Sequence, residues 1–410
     1  MISPPPWRSW LGPRRARRLC ERFGTPLYVY SAPVLRNRCR ALLRAFPGVG
    51  LRYAMKANGN PTLLRIVRSM GLGVDTVSPW EVQLALECGF RKAEMIYSGN
   101  SPSDDDLRAV HRAGVLINLD ALSSLHRYGR MFRGSRVSLR VNLEVGGGHH
   151  PHVVTAGPDS KFGLAPEDLP EARSIAARHG LRIIGLHQHI GSGIFDPQLF
   201  LDALDPLLAF SEALPDLEVL DAGGGFGVPY RPEESPLDLA GLGSRVMTRF
   251  RAMQKGRKKP LKFLLEPGRY VVAEAGALLT QVTTLKRTRD RVFIGVDSGM
   301  HHLIRPALYQ SYHPVSMIPP RDGAALRSFI VGPICESGDV LAEERMIPMP
   351  EEGDLAIVGN AGAYGYAMAS HYNLRARPAE VLIDQGKATL IRARESYRDV
   401  VRRRDLRAKR

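Results

Sequence analysis

The residues best able to do chemistry in this chain begin with one lysine. Lys56 lies in Tyr-Ala-Met-Lys-Ala-Asn, residues 53–58, behind an apolar run and ahead of the small residues Ala57, Asn58 and Gly59. Partial desolvation there lowers the pKa of the amine and makes it a better nucleophile toward an aldehyde. Taken alone, an ordinary surface lysine at a strand end is the commoner case. Asp75 and Ser78 close the next apolar run, and His-Gln-His-Ile-Gly-Ser-Gly occupies residues 187–193. His187 and His189 are two apart, so on a strand both face one side and Gln188 the other. Four glycines, 223, 224, 225 and 227, fall in five consecutive positions. A tight turn explains one or two of them. Close approach of backbone amides to an oxyanion explains the set.

Glu266-Pro267-Gly268-Arg269 ends a further apolar run. Arg269 and Ser192 can add a charge and a hydroxyl to a phosphate bound by the glycine loop. Glu266 has the chemistry to hold a protonated pyridine nitrogen, which makes such a ring a strong electron sink; a structural salt bridge to Arg269 is the plainer alternative. Cys335 and Glu336, in the Gly- and Pro-bounded loop 331–339, look built to enter a site, although an isolated cysteine is more often a buried structural one. His149, His150 and His152 lack a convincing carboxylate partner, so no metal is expected.

These residues need elements to aim them. Eight short apolar strands alternate with amphipathic stretches: Leu51–Met55, Gly73–Val77, Glu94–Ser98, Val115–Leu119, Val137–Asn142, Ile183–Gln188, Leu217–Asp221 and Lys262–Glu266. Helical spacing appears over Pro61–Met70, Pro79–Cys88, Ser103–Ala113 and Ala165–Arg178. Eight such repeats predict an α/β fold, a TIM (β/α)8 barrel whose chemistry sits at the strand carboxyl ends. Five of the strand ends carry the residues above, and the glycine loop follows strand seven, where barrels often bind phosphate. A dinucleotide fold is the rival reading of a glycine-rich loop, but no Gly-x-Gly-x-x-Gly opens a βαβ unit near the N-terminus. Residues 276–300, 325–334, 354–359 and 379–392, rich in Val, Ile and Thr, predict a C-terminal β-sandwich or barrel domain completed by an N-terminal strand. The expected boundaries are a basic tail at 1–23, the strand at 24–30, the barrel at 31–273, the β domain at 274–397 and a second basic tail at 398–410.

The net charge is +16 over 410 residues. Residues 1–18 and 398–410 together supply +10 of it, and basic ends are more often solvated than binding surfaces. With no basic stripe interleaved by aromatics, nucleic acid is not an expected partner. No apolar run approaches the roughly 20 residues of a membrane helix, and the first twenty residues make a poor signal peptide. The four scattered cysteines form no Cys-x-x-Cys pair, which points to a reducing cytoplasm.

The motifs Tyr53–Asn58, Gly73–Glu81, Ser160–Gly163, His187–Gly193, Gly223–Gly227, Glu266–Arg269, Gly299–Tyr309, Gly332–Asp339 and Gly362–Asn373 appear together and in order. Through them, from about Gly24 to Asp384, the chain resembles the fold-type III pyridoxal-phosphate decarboxylases, whose barrel is alanine racemase-like. Within that family it is most similar to the diaminopimelate decarboxylase branch, through Cys-Glu-Ser at 335–337 and through Arg305 and Tyr309. Trp80, His301-His302 and Leu143 depart from the usual pattern.

The resemblance implies pyridoxal 5'-phosphate as cofactor, held by Lys56 as a Schiff base. It implies Asp75, His189 against the ring, Ser192, Gly223, Gly224, Gly225, Glu266, Pro267, Gly268, Arg269 and Tyr364 around the cofactor. Arg269, Arg305, Tyr309, Glu336 and Tyr364 would hold the far end of a small amino-acid substrate, and a substrate with a second carboxylate suits arginine pairing. Lys56, His189 and Cys335 would be catalytic, with Cys335 coming from the other subunit of a homodimer with shared active sites. Decarboxylation of meso-2,6-diaminopimelate to L-lysine is the expected activity. The alternatives are another carboxylated amino acid or conjugate, such as a siderophore or antibiotic precursor, an alanine racemase type, and a non-enzymatic relative. The racemase type has no use for Cys-Glu-Ser, and relatives without activity tend to lose the lysine or the cysteine.

Overall fold

The computed structural model describes residues 6–148, 150, 154–157 and 160–401. They fall into two compact units. One comprises Arg36–Val228 and Pro236–Val271, the other the described parts of Met1–Leu35, Pro229–Ser235 and Val272–Arg410. The first strand, β1 (Leu27–Ser31), belongs to the second unit.

The next eight strands close into a parallel barrel. They are β2 (Gly50–Ala54), β3 (Gly73–Thr76), β4 (Met95–Tyr97), β5 (Leu116–Leu119), β6 (Arg136–Arg140), β7 (Arg182–His187), β8 (Val219–Asp221) and β9 (Lys262–Leu265). Each matches one expected strand to within two residues at either end. The helices between them start where short polar side chains can cap them. The Asn60 side chain accepts from Thr62 N at 2.9 Å, ahead of Pro61–Ser69, and Ser78 accepts from Glu81 N at 3.2 Å, ahead of Pro79–Glu87. Closure is what matters for function. Pairing sets Ala54 opposite Asp75, His187 opposite Asp221 and Leu51 opposite Leu265. The residues that follow these strands therefore leave the barrel at one end.

The second unit is a nine-stranded mixed sheet. Its remaining strands are β10 (Gly276–Thr288), β11 (Arg291–Val296), β12 (Val315–Ile318), β13 (Ala325–Val331), β14 (Val340–Pro348), β15 (Leu355–Val358), β16 (Ala379–Asp384) and β17 (Lys387–Arg392). The order runs β14-β13-β11-β10-β1-β16-β17, with β15 joining β10 and β12. β10 carries a bulge between Val282 and Thr284; its first half pairs with β1 and β15 and its second half with β11. The early strand completes this sheet, pairing antiparallel to β10 and parallel to β16.

One expectation fails. Residues 1–23 are not a solvated basic tail where they are described. Pro13–Phe23 is an α-helix preceded by a 3-10 turn at Pro6–Ser9. Ala16 and Leu19 are buried, Cys20 and Phe23 pack beside them, and Arg14, Arg15, Arg17 and Arg18 are exposed. That i, i+3, i+4, i+7 spacing is an amphipathic face. It covers the sheet together with Trp7, Trp10 and Leu11, against Leu27, Val29, Leu279, Ile357 and Val381. Gly359 makes room: a Cβ there would lie 2.2 Å from Trp7 Nε1. The C-terminal segment is a short helix over Tyr397–Val401 as far as it is described, and the rest of the expected tail lies outside the described residues. Residues 229–235, expected in the barrel, go instead with the sheet.

Trp7 is 2% exposed, so Trp7→Ala is expected to cost about 3–5 kcal/mol, the scale of a buried tryptophan lost from a core. Urea unfolding of the two proteins measures it. An unchanged midpoint would return the segment to the status of a tail.

Candidate active site

Lys56 sits in a single 3-10 turn, Met55–Ala57, at the carboxyl end of β2. Tyr53 Oη donates to Asn58 O at 3.0 Å, and Asn58 Oδ1 accepts from Asn60 N at 3.0 Å. These two bonds fix the turn, which aims the side chain. Lys56 Nζ lies 3.2 Å from Asp75 Oδ2 at the end of β3. The Lys56 side chain is 35% exposed and that of Asp75 fully buried. Burial first, and the charge of Glu266 second, raise the Asp75 carboxyl to about 6, against the pull of Lys56 and His187.

Glu266 stands immediately after β9 and is buried. Its Oε2 lies 3.1 Å from His187 Nε2, and its Oε1 accepts from Ser98 Oγ at 3.4 Å. Asn118 Nδ2 donates in turn to Ser98 Oγ at 2.9 Å. Burial alone would raise the Glu266 carboxyl, but His187, Lys56 and His189 outweigh it and bring it down to about 2. The group is a carboxylate at any working pH.

The glycine loop folds onto this carboxylate. Glu266 N donates to Gly223 O at 2.7 Å, and Gly224 N donates to His189 Nδ1 at 3.1 Å. The second bond fixes the tautomer: Nδ1 accepts, so the proton of the neutral ring sits on Nε2. Burial, and then Lys56 and Arg140, push His189 well below the usual histidine range, so it is uncharged. Gln188 turns away and donates to Ala203 O at 2.9 Å. Gly224 has no room for a side chain, since a Cβ would lie 2.1 Å from Glu266 O. Beside the loop, Arg269 Nε and Nη2 approach Ser192 Oγ at 3.1 and 3.0 Å. Glu266 is paired with His187. Pro267 O accepts from Ala54 N at 3.2 Å, tying the end of β9 to that of β2. Gly268 would bring a Cβ to 3.1 Å of the Ala54 side chain.

The barrel thus gathers Lys56, Asp75, His189, Ser192, Gly223, Gly224, Gly225, Glu266, Pro267, Gly268 and Arg269 at one end. Arg305, Tyr309, Cys335, Glu336 and Tyr364 belong to the β unit. There Asp339 knits two of the sequence motifs, accepting from Met300 N at 2.5 Å and Ile334 N at 2.7 Å. Cys335 and Glu336 are exposed, and Cys335 N donates to Asn373 Oδ1 at 3.0 Å. Arg305 is 1% exposed, with Nη1 2.9 Å from His313 Nε2 and its guanidinium 4.8 Å from the centre of the Tyr230 ring. In this conformation the expected substrate arginine is turned inward. Tyr364 holds a φ of +57°. His301 and His302, the departure from the family pattern, are a buried ring pair with centroids 3.6 Å apart. His149 and His152 lie outside the described residues.

Ser98, Asn118 and Arg140 belong to no sequence motif, and the motifs do not say that Asp221 and His187 meet Glu266. Arg140 is buried at the end of β6 with its guanidinium 4.5 Å over the Phe162 ring. Asp221, the last residue of β8, is fully buried. The signal available was position, since each stands at or next to the carboxyl end of a barrel strand.

Comparison with known proteins is consistent with this geometry. Residues 33–273 match the family described as "Pyridoxal-dependent decarboxylase, pyridoxal binding domain". The chain is 42% identical to the diaminopimelate decarboxylase of Methanothermobacter thermautotrophicus, over 96% of this chain and 94% of that one. It is 37% identical to that of Aquifex aeolicus, over 94% and 93%. A crystal structure of diaminopimelate decarboxylase superposes with a TM-score of 0.91 at 33% identity, covering 97% of this chain and 98% of that one. The Helicobacter pylori diaminopimelate decarboxylase complexed with L-lysine gives 0.88 at 29%, covering 95% and 99%.

Gly224→Ala is expected to weaken pyridoxal phosphate binding about tenfold or more, because relieving overpacking of this kind costs roughly 1–3 kcal/mol. Titration of cofactor-stripped protein measures it, with Gly59→Ala as control, since a Cβ at Gly59 meets nothing closer than 3.8 Å. Equal affinity in the two variants would remove the loop from cofactor binding.

Proposed function

Since this chain belongs to the pyridoxal-dependent decarboxylase family, we propose that it converts meso-2,6-diaminopimelate to L-lysine and carbon dioxide, the last step of lysine biosynthesis. The observation that carries the substrate is near-full-length identity to relatives named for that activity. The cofactor is pyridoxal 5'-phosphate. The residues present fit it: a side-chain-free glycine cradle, an arginine–serine pair beside it, and a lysine amine and a buried carboxylate at the same barrel end. When bound, pyridoxal phosphate supplies an electron sink for the pair left behind as carbon dioxide departs.

The protein's own groups do the rest. Lys56 would hold the aldehyde end covalently, and Asp75, 3.2 Å away, would take up or return the lysine's proton. An anchored amine of this kind brings the reacting carbon to one place, which removes much of the entropic barrier. The Glu266 carboxylate would hold the ring nitrogen and keep a proton on it. The neutral His189 ring would lie against the cofactor without adding charge. Amides of Gly223 to Gly225, with Ser192, Arg269 and Tyr364, would bind the phosphate. Arg269, Arg305, Tyr309, Glu336 and Tyr364 bind the second amino-acid end of the substrate, where a guanidinium pairs bidentately with the carboxylate.

Cys335 Sγ would return a proton to the carbon that lost its carboxylate. The thiol is exposed in a lone chain, which suits a group lent to the site of a second copy, and we read the working form as a homodimer with shared sites. Among the described residues no helix is long and apolar enough to cross a membrane. All four cysteines are free thiols, which agrees with a cytoplasmic protein.

Purified protein incubated with meso-diaminopimelate is expected to release carbon dioxide and lysine, and to leave ornithine, arginine and lysine untouched. Release from those three instead would reassign the substrate. Sharing of sites has its own test. Lys56→Ala and Cys335→Ala chains, each inactive, should regain roughly a quarter of wild-type activity when mixed, because half of randomly paired dimers hold one intact site. No recovery despite proven subunit exchange would mean that each chain is complete alone.

A further inference from the structure

Glu266 has a second acidic neighbour that the proposed mechanism leaves unused. Asp221 and Glu266 each present a carboxylate oxygen, and His187 a ring nitrogen, all within 4.8 Å of one another. Asp221 is 0% exposed and Glu266 3%. Two carboxylates this close and this deeply buried do not both ionise; one keeps a proton. Their surroundings decide which. Glu266 has His187 at 3.1 Å, while Asp221 Oδ1 accepts from Gly223 N at 2.9 Å. The Asp221 and Glu266 carboxyls also share a side-chain hydrogen bond, which can form only if one of them carries a proton.

From this arrangement we propose that Asp221 is a neutral carboxylic acid and a positioning residue, which leaves Glu266 as the charged member of the pair and clamps it to the phosphate loop. Gly223 is the joint. Its N–H is held by Asp221, and its carbonyl receives the N–H of Glu266 at 2.7 Å. Gly224 then passes the constraint to His189. The groups that would bind the phosphate, cover the ring and face its nitrogen therefore form one hydrogen-bonded unit with Asp221 beneath it. Burial, and next the Glu266 charge, push the Asp221 carboxyl well above the usual carboxylate range, with the Gly223 bond opposing them. The charged and titratable groups facing the cluster from neighbouring strands are Lys56, Asp75, His189, Arg140 and Arg52. Lys56, Asp75 and His189 come from the barrel mouth. The role of Asp221 toward the cofactor rests on the family reading above, whereas its protonation state does not.

The experiment is infrared spectroscopy of the holoenzyme at pH 8, about two units above the value at which Asp75 takes up its proton, with aspartate labelled by carbon-13 at the side-chain carbonyl. An un-ionised carboxylic acid stretch that shifts with the label, and that disappears in Asp221→Asn, is expected. Asparagine keeps an uncharged group and the acceptor for Gly223, so its cofactor Kd should stay within about threefold of wild type. Asp221→Ala should raise that Kd about tenfold or more, the scale of one lost buried hydrogen bond. The nitrogen-15 shift of labelled cofactor should report the same protonated ring in wild type and Asp221→Asn. Absence of the band in the wild-type protein would overturn the proposal even if no variant folds. So would an Asp221→Asn variant as weak as Asp221→Ala, or a stoichiometric divalent metal ion in the purified protein. A band with no diaminopimelate turnover would leave the neutral acid standing and remove only the substrate.

Discussion

A carboxylate buried at the mouth of the barrel is the constraint from which the site follows. An ion sealed from water costs several kcal/mol unless neighbours compensate it, and Glu266 is 3% exposed. The compensation comes from four other strands of the barrel. His187 at the end of β7, Ser98 after β4 with Asn118 of β5 behind it, Lys56 after β2 and His189 after β7 all act on it. Asp221 at the end of β8 is the acid that gives way. The glycine loop is drawn in by its backbone bonds to the same residue. Such a network is worth having only if it is complete, because a partly satisfied buried network destabilises more than an apolar core would. That demand explains why so many strand ends carry polar groups.

Much of this was legible along the chain, for identifiable reasons. Strands of a closed parallel barrel are covered on both faces, so they read as short continuous apolar runs, and all eight stood out. The motif residues were visible because glycine, histidine and charged side chains interrupt those runs at their carboxyl ends. What stayed hidden depended on closure. Nothing in the spacing of Asp221 and Glu266 says that their carboxylates meet; β8 and β9 must first pair, with Asp221 beside Leu264. The strands β12 and β14 were missed because Pro314 and Pro319 flank the first and Glu343, Glu344 and Arg345 crowd the second, a composition suited to sheet margins. The N-terminal helix was missed because its arginines outnumber its apolar residues. Its buried stripe is only four residues wide, and recognising it required the sheet it covers.

The β unit carries the groups that distinguish one substrate from another. Asp339 fixes Met300 and Ile334, so the loop bearing Cys335 and the segment leading to Arg305 share one anchor. Arg305 lies inside that unit against His313 and Tyr230, with a hydrogen bond to the first and a cation–π contact to the second.

The central claim is that Lys56 alone joins the cofactor to the chain. Borohydride reduction of the holoenzyme followed by peptide mass mapping tests it in one measurement. A single pyridoxyl group is expected, on the peptide that spans Tyr53 to Asn58. A label on another lysine, such as Lys161, or no label at all on a protein saturated with pyridoxal phosphate, would contradict it.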